Sequence, residues 1–305
     1  MKMPSNLTKK DLAVIVRTAD KEFKKTRKHR VFVEYRGMRY KVRRYGNPEE
    51  SQRQLEIANH AKNFCSAVLG RIDEKLILEY AEGERIEIGR EFCQGTGKLL
   101  GRLSNLTGDR SQDRFEAWLR EISRAGIFLP GSVKTIRDHY RRCDFGDDPW
   151  VMTHGDAMPR NIIKTEEGIF KIVDEKYLFW APEGVGLVKL SWDLKPPEFD
   201  ILKEAYEGEK QRPLPKGSTH WMSLTFYYLI FSLACNAAAN SWPENVTKPF
   251  FHWKRSLVME LIGLTGFDRW QEKLAWRAPY KVYRNWKIFF GMKGRANPPL
   301  KRDAA

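Results

Sequence analysis

Residues 151–163 read Val151-Met152-Thr153-His154-Gly155-Asp156-Ala157-Met158-Pro159-Arg160-Asn161-Ile162-Ile163, and Phe170-Lys171-Ile172-Val173-Asp174 follows a short way on. Apolar runs flank the polar groups, since Asn161 leads into Ile162-Ile163 and Ile172-Val173 leads into Asp174. The pattern predicts two short buried strands whose ends hold Asp156, Asn161 and Asp174 in one place. Two carboxylates and an amide are hard oxygen ligands of the kind that suits Mg²⁺ at a phosphate site. Phosphoryl transfer also needs a cation on the phosphates and a group that orients the attacking hydroxyl. Asp156, in a loop ahead of a strand, can accept a hydroxyl proton. Asn161 can turn back from the same loop to a metal, and Asp174 can reach that metal from the next strand. Burying two carboxylates would be costly without a cation. Each residue alone reads as a turn former; the combination points to chemistry.

The chain has 305 residues, enough for one large domain or two smaller ones. At 42% hydrophobic and 30% charged with mixed signs, it reads as soluble and globular rather than disordered. The net charge of +15 sits at the ends: residues 1–46 carry 15 Lys and Arg against 4 acids, and residues 269–305 carry 10 against 2. Such ends suit a phosphate-rich partner, an anionic membrane or nucleic acid, or simply solvent. Cys65, Cys93, Cys143 and Cys235 are far apart without metal-binding spacing, which fits a reducing, cytoplasmic setting. The first twelve residues lack the apolar run of a signal peptide.

Residues 5–28 read as a basic amphipathic helix, capped by Ser5 or Asn6, with Leu12, Ile15, Val16 and Phe23 on its apolar side. Residues 30–35 and 38–45 form a hairpin through Arg36-Gly37. After Gly46-Asn47-Pro48, residues 49–64 read as a helix, followed by strands at 67–70 and 75–80. Helical spacing then dominates, at 88–106, 111–124, 131–142 and again from about Pro197. Trp221 to Ala239 is apolar enough to raise a membrane span, but Thr225, Ser232, Cys235 and Asn236 dilute it. A buried helix is the better reading. The chain divides near residue 80, giving a basic nucleotide-binding unit over 1–80 and a catalytic, helical unit over 81–305.

The HGDAMPRN stretch resembles the HGDxxxxN loop of aminoglycoside phosphotransferases, choline kinases and related small-molecule kinases. Ile172-Val173-Asp174-Glu175 is similar to their metal-binding segment. The resemblance covers roughly residues 30–195. It implies an α+β, two-lobed protein-kinase-like fold with a small antiparallel-sheet N-lobe and a larger helical C-lobe. By the same likeness, Asp156 is the catalytic base or hydroxyl-orienting residue. Asn161 and Asp174 are Mg²⁺ ligands, and His154 supports the loop. Tyr40 to Tyr45 looks like the strand that carries a cation to the ATP phosphates, supplied by Arg43 or by Lys41 on the same strand face. Glu56 resembles that cation's ion-pair partner, with Glu50 the second choice. Leu76 to Gly83 looks like the interlobe hinge, where the backbone of Glu79, Tyr80 and Ala81 would meet adenine.

Some features depart from that likeness. Residues 1–40 contain no glycine-rich phosphate loop, and Glu175 stands where protein kinases have Phe-Gly. The stretch 175–189 matches no substrate pattern, and Asp193 reads as a second aspartate or as a helix cap. Trp270 to Phe290 interleaves aromatics with Arg277, Lys281, Arg284 and Lys287. It reads as a final helix on the C-lobe or as a surface for anionic membrane at an inner face; nucleic acid ranks last. The expectation is an ATP- and Mg²⁺-dependent phosphotransferase acting on a hydroxyl of a small molecule or glycan, the latter membrane-linked if the basic end binds lipid. The alternative is a catalytically silent nucleotide-binding scaffold, or pseudokinase, that holds an anionic partner.

Overall fold

The first helix, α1 (Lys9–Thr26), opens with a reciprocal cap in which Thr8 and Asp11 exchange hydrogen bonds of 2.8–3.2 Å. A computed structural model describes residues 7–26, 29–128, 130–145, 149–210, 214, 218–238 and 248–263. Ser5, Asn6 and the aromatic-basic stretch 270–290 lie outside them.

Ile15, Val16, Ala19 and Phe23 recur at helical spacing on the buried side of α1. They pack on β1 (Arg30–Tyr35) and β2 (Met38–Arg44) through Val31, Val33, Tyr40 and Val42. The hairpin turns at Arg36 (φ 50°) and Gly37 (φ 71°), two positive φ angles that let a two-residue loop follow the twist of the strands. Arg36 is held there by Asp11, 2.9 Å away. Next comes α2 (Pro48–His60), begun by Asn47, whose side chain accepts from the Glu50 amide at 2.8 Å. Strands β3 (Val68–Ile72) and β4 (Lys75–Glu79) complete an antiparallel sheet in the order β1-β2-β4-β3. Ile57, Ala58 and Ala61 of the α2 region join the larger core rather than the small one under α1.

The helical lobe begins with α3 (Arg90–Leu103). A short strand β5 (Thr107–Gly108), then α4 (Phe115–Arg124) and α5 (Pro130–Arg142), lead to β6 (Trp150–His154). Strands β7 (Ile162–Lys164) and β8 (Phe170–Ile172) form a small hairpin. Strand β9 (Leu178–Pro182) returns antiparallel to β6, and α6 (Val185–Asp193), α7 (Pro196–Lys210), α8 (Ser218–Ala238) and α9 (Lys248–Gly263) follow. A Cβ on Gly97 would sit 2.3 Å from the Leu202 carbonyl, and one on Gly101 would sit 2.6 Å from that of Tyr206. These two glycines let α3 and α7 meet backbone to backbone. Helix α8 packs on α4, α6 and α9 as a buried helix, and no described helix is long and apolar enough to cross a membrane.

Strands β6 and β9 and helix α6 are additions to the sequence reading. Every residue of β6 and β9 is buried, so neither shows the alternation that marks a half-exposed strand.

Candidate active site

His154 closes β6 and is fully buried. A Cβ on the next residue, Gly155, would meet the Phe231 ring at 2.2 Å, so only glycine lets the loop pass α8 here. Asp156 follows at the turn. A single helical turn over Pro159–Asn161 then brings Asn161 back, and its Nδ2 donates to the Asp156 carbonyl (2.8 Å) and carboxylate (2.7 Å). Arg160 Nη2 donates to both Asp156 carboxylate oxygens at 2.9 and 2.7 Å. Lys189 of α6 sits 3.7 Å from Asp156 and 2.5 Å from Asp193. Asp193 is therefore the partner of a lysine that faces the Asp156 loop.

The His154 ring joins this loop to the Asp174 segment. Its Nε2 lies 2.9 Å from the Asp174 carbonyl, which can only accept, so Nε2 carries the proton. Nδ1 is then the acceptor for the Asp156 amide at 3.3 Å. Burial holds the imidazole below the usual histidine range, which keeps this neutral form.

Asn161 and Asp174 are brought side by side by the β7–β8 hairpin. Ile162 pairs with Ile172, and the Val173 amide donates to the Asn161 carbonyl at 2.9 Å. The Asn161 amide protons are committed to Asp156, which leaves Oδ1 as its ligand atom. Together with the Asp174 carboxylate this makes a hard oxygen pair, and such a pair fits Mg²⁺ completed by water and phosphate oxygens. Among the described residues no three His, Cys, Asp or Glu side chains cluster as a metal cage. A metal here would rely on substrate oxygens, as Mg²⁺ at a nucleotide does.

Lys41 and Arg43 of β2 both point into this region and are nearly fully buried. Arg43 Nη2 is 2.5 Å from Asp174 Oδ1. Lys41 Nζ donates to Glu175 Oε2 and, at 2.8 Å, to the Val173 carbonyl. Arg43 Nε lies 3.2 Å from Glu175 Oε1, an ion pair without hydrogen-bond geometry. Two cations thus face two carboxylates. Burial alone would raise the Glu175 carboxyl, but Lys41 and Arg43 outweigh it and hold it below the ordinary glutamate range. Burial also opposes the Arg43 charge, and Glu175 and Asp174 restore it.

Glu175 therefore takes the place that the sequence reading gave to Glu56. The buried face of α2 is Ser51, Gln54, Ile57 and Ala58. Glu56 is two residues past Gln54, about 200° around the helix, and it faces solvent with Gln52 as its partner at 2.8 Å. Glu50 does not pair with these cations either; its carboxylate accepts from the Gly46 amide at 3.1 Å. Gln54 is the α2 residue that reaches the site, donating to the Glu175 carbonyl at 2.7 Å. Nothing in the sequence marks Gln54, whereas Glu175 was visible as the residue standing where Phe-Gly is absent. Arg30, at the start of β1, adds a longer contact of 3.8 Å to Asp174.

The crossing between lobes runs through Glu79, Tyr80 and Ala81. The Glu79 amide is used within the sheet lobe, donating to the Ala67 carbonyl at 2.9 Å. Tyr80 packs edge-on against Phe32 at 5.5 Å, and the Arg39 guanidinium lies 4.5 Å from its ring centre. Glu84 then pairs with Lys164 of β7.

The fold is shared with solved small-molecule kinases. Choline kinase LicA from Streptococcus pneumoniae is 13% identical and aligns with a TM-score of 0.58 over 81% of this chain and 98% of that one. LicA in complex with AMP aligns at 0.55, with 14% identity over 77% and 88% of the two chains. A choline/ethanolamine kinase family protein from Mesorhizobium loti aligns at 0.50, with 15% identity over 76% and 85%. No protein-family model and no curated protein matches the sequence. At these identities the likeness is one of fold: a sheet lobe and a helical lobe, arranged as in choline kinases and their relatives.

Proposed function

We propose that this chain is a phosphotransferase that moves the γ-phosphate of ATP, with Mg²⁺, onto a hydroxyl of a small molecule or glycan. The observation that carries this reading is that three strand ends bring Asp156 together with Asn161 and set Asn161 beside Asp174, which the buried Arg43 holds from the sheet lobe. In this reading Asp156 accepts the hydrogen bond of the acceptor hydroxyl and orients its oxygen for in-line attack. The acceptor oxygen forms the new bond to phosphorus as the bond to the ADP oxygen breaks, and the hydroxyl proton leaves through Asp156 to solvent. Arg160 and Asn161 hold the Asp156 carboxylate in place, so its contribution is chiefly alignment. Mg²⁺ bound by Asn161 and Asp174 would neutralise phosphate charge. Lys41 and Arg43 bind the remaining phosphate oxygens, and the backbone of residues 79–81 meets adenine. The basic ends suit an acceptor displayed on an anionic membrane surface.

The non-catalytic scaffold has one observation in its favour: the cations and carboxylates are fully engaged with one another. A screen of hydroxyl acceptors with MgATP, read by product mass, decides between the two. Asp156→Ala is expected to abolish phosphoryl transfer while MgATP binding stays nearly intact, and Asp174→Ala to weaken Mg²⁺-dependent nucleotide binding itself. Wild-type turnover by Asp156→Ala would remove Asp156 from its role. Nucleotide binding without any acceptor product would favour the scaffold.

A further inference from the structure

A cleft of about 350 Å³ opens beside Arg43, walled by α2 of the sheet lobe and by α4, β9 and α8 of the helical lobe. Its apolar floor is aromatic. Phe179 stacks on Phe231 at 4.2 Å, and Trp118 meets both edge-on at 5.4 and 5.2 Å. Its charged lining is mostly positive. With Arg43 paired to Asp174 and Glu175, the cations Arg44, Arg53, Arg114 and Lys176 remain against Glu50 and Glu121.

These cations are not equivalent. Arg44 lies over the Phe23 ring and Lys176 over the Tyr177 ring, at 4.9 and 4.4 Å. Arg53 on α2 and Arg114 at the start of α4 have no hydrogen-bonded or ion-paired side-chain partner among the described residues. Both are partly buried, and each feels Glu50 and Glu121 only at longer range. Burial, and then the neighbouring Arg114, push the Arg53 guanidinium down to about 10. Two like charges facing a partly enclosed aromatic cavity leave ten N–H donors between them for a counter-ion, roughly five per guanidinium.

We propose that this cleft binds a small organic anion, its phosphate or carboxylate held between Arg53 and Arg114 and its ring or apolar portion on Trp118, Phe179 and Phe231. The site is separate from the Asp156 carboxylate and does not depend on phosphoryl transfer. Arg53 belongs to one lobe and Arg114 to the other, so the anion bridges them.

Calorimetric titration with phenyl phosphate, inorganic phosphate and phenol tests this. Phenyl phosphate is expected to bind more tightly than inorganic phosphate, and neutral phenol more weakly than phenyl phosphate. Arg53→Gln and Arg114→Gln are each expected to weaken phenyl phosphate by about tenfold or more, the effect of losing charged donors to an anion. Arg53→Lys, which keeps the charge, should retain part of the affinity, and circular dichroism confirms the fold of each variant. Unchanged affinity in the folded glutamine variants would place the anion elsewhere, at Lys41 and Arg43 for instance, and overturn the proposal. Failure of the wild-type chain to bind phenyl phosphate would overturn it as well.

Discussion

Glu175 is a fully buried carboxylate between two buried cations. Desolvating four charges is expensive, and their mutual attraction offsets that only while all are present. Glu175→Gln keeps the shape and removes one charge, leaving Lys41 and Arg43 short of a partner. The expected loss is about 3–5 kcal/mol, the usual effect of breaking a buried pair from one side, read as a lower melting temperature. The pH dependence follows from the lowered carboxyl of Glu175. An unfolded glutamate titrates near about 4.3; above that value the pair's contribution is fully present, and it is lost as pH falls through the lower folded value. A series of melting temperatures taken down through the carboxylate range should show a steeper acid decline for wild type than for Glu175→Gln. Parallel curves would mean that Glu175 is not held by its cations. This residue also shows where sequence reading stops. Asp156, Asn161 and Asp174 stand out because apolar strands bracket them, but a glutamate after an aspartate carries no mark of what β2 places opposite it.

Among the elements, the α3–α7 contact depends on absent side chains. Gly97→Val would drive a Cβ into the Leu202 carbonyl, backbone that cannot swing aside. Overpacking of this sort costs about 1–3 kcal/mol, and the bulk at Gly97 should exceed the lower figure. Gly131, near the start of α5, has open space where a Cβ would stand, with no atom within 4 Å, and no left-handed φ. Gly131→Ala is therefore expected to leave stability unchanged or raise it by up to about 1 kcal/mol, read as an equal or slightly higher melting temperature. Equal effects at the two positions would mean that the helices can slide apart. Periodicity made α1, α2 and α3 legible, and the paired turn residues Arg36-Gly37 made the first hairpin legible. Helix α6 escaped because seven of its nine residues are buried, leaving no polar face to set a period.

At the scale of the molecule, charge is segregated. The sheet lobe and the far end are basic, while the span between them is slightly acidic. On α1 the exposed side carries Lys9, Lys10, Arg17, Lys21, Lys24 and Lys25. If the membrane-surface reading holds, the full chain floats with anionic liposomes at low salt, stays behind with neutral ones, and loses flotation when truncated after Gly266. Absence of flotation by the full chain at low salt would remove the membrane from the reading. The two-lobed fold was legible through the likeness that the 154–161 loop and the 172–175 segment bear to small-molecule kinases. The acceptor was not, because no motif in the sequence marks the surfaces that would select it.

The Lys41 ammonium grips the Val173 carbonyl as well as Glu175, and Gln54 grips the Glu175 carbonyl. The lobes are thus joined by the covalent crossing at residues 79–84 and also by polar contacts across the cleft, this clasp and the Arg43–Asp174 pair among them. A hinge with a clasp on its open side does not swing freely. If a nucleotide binds between the lobes as proposed, its entry and exit would have to wait for the clasp to part, and residence time, rather than affinity alone, would be a quantity set by Lys41, Gln54 and Glu175.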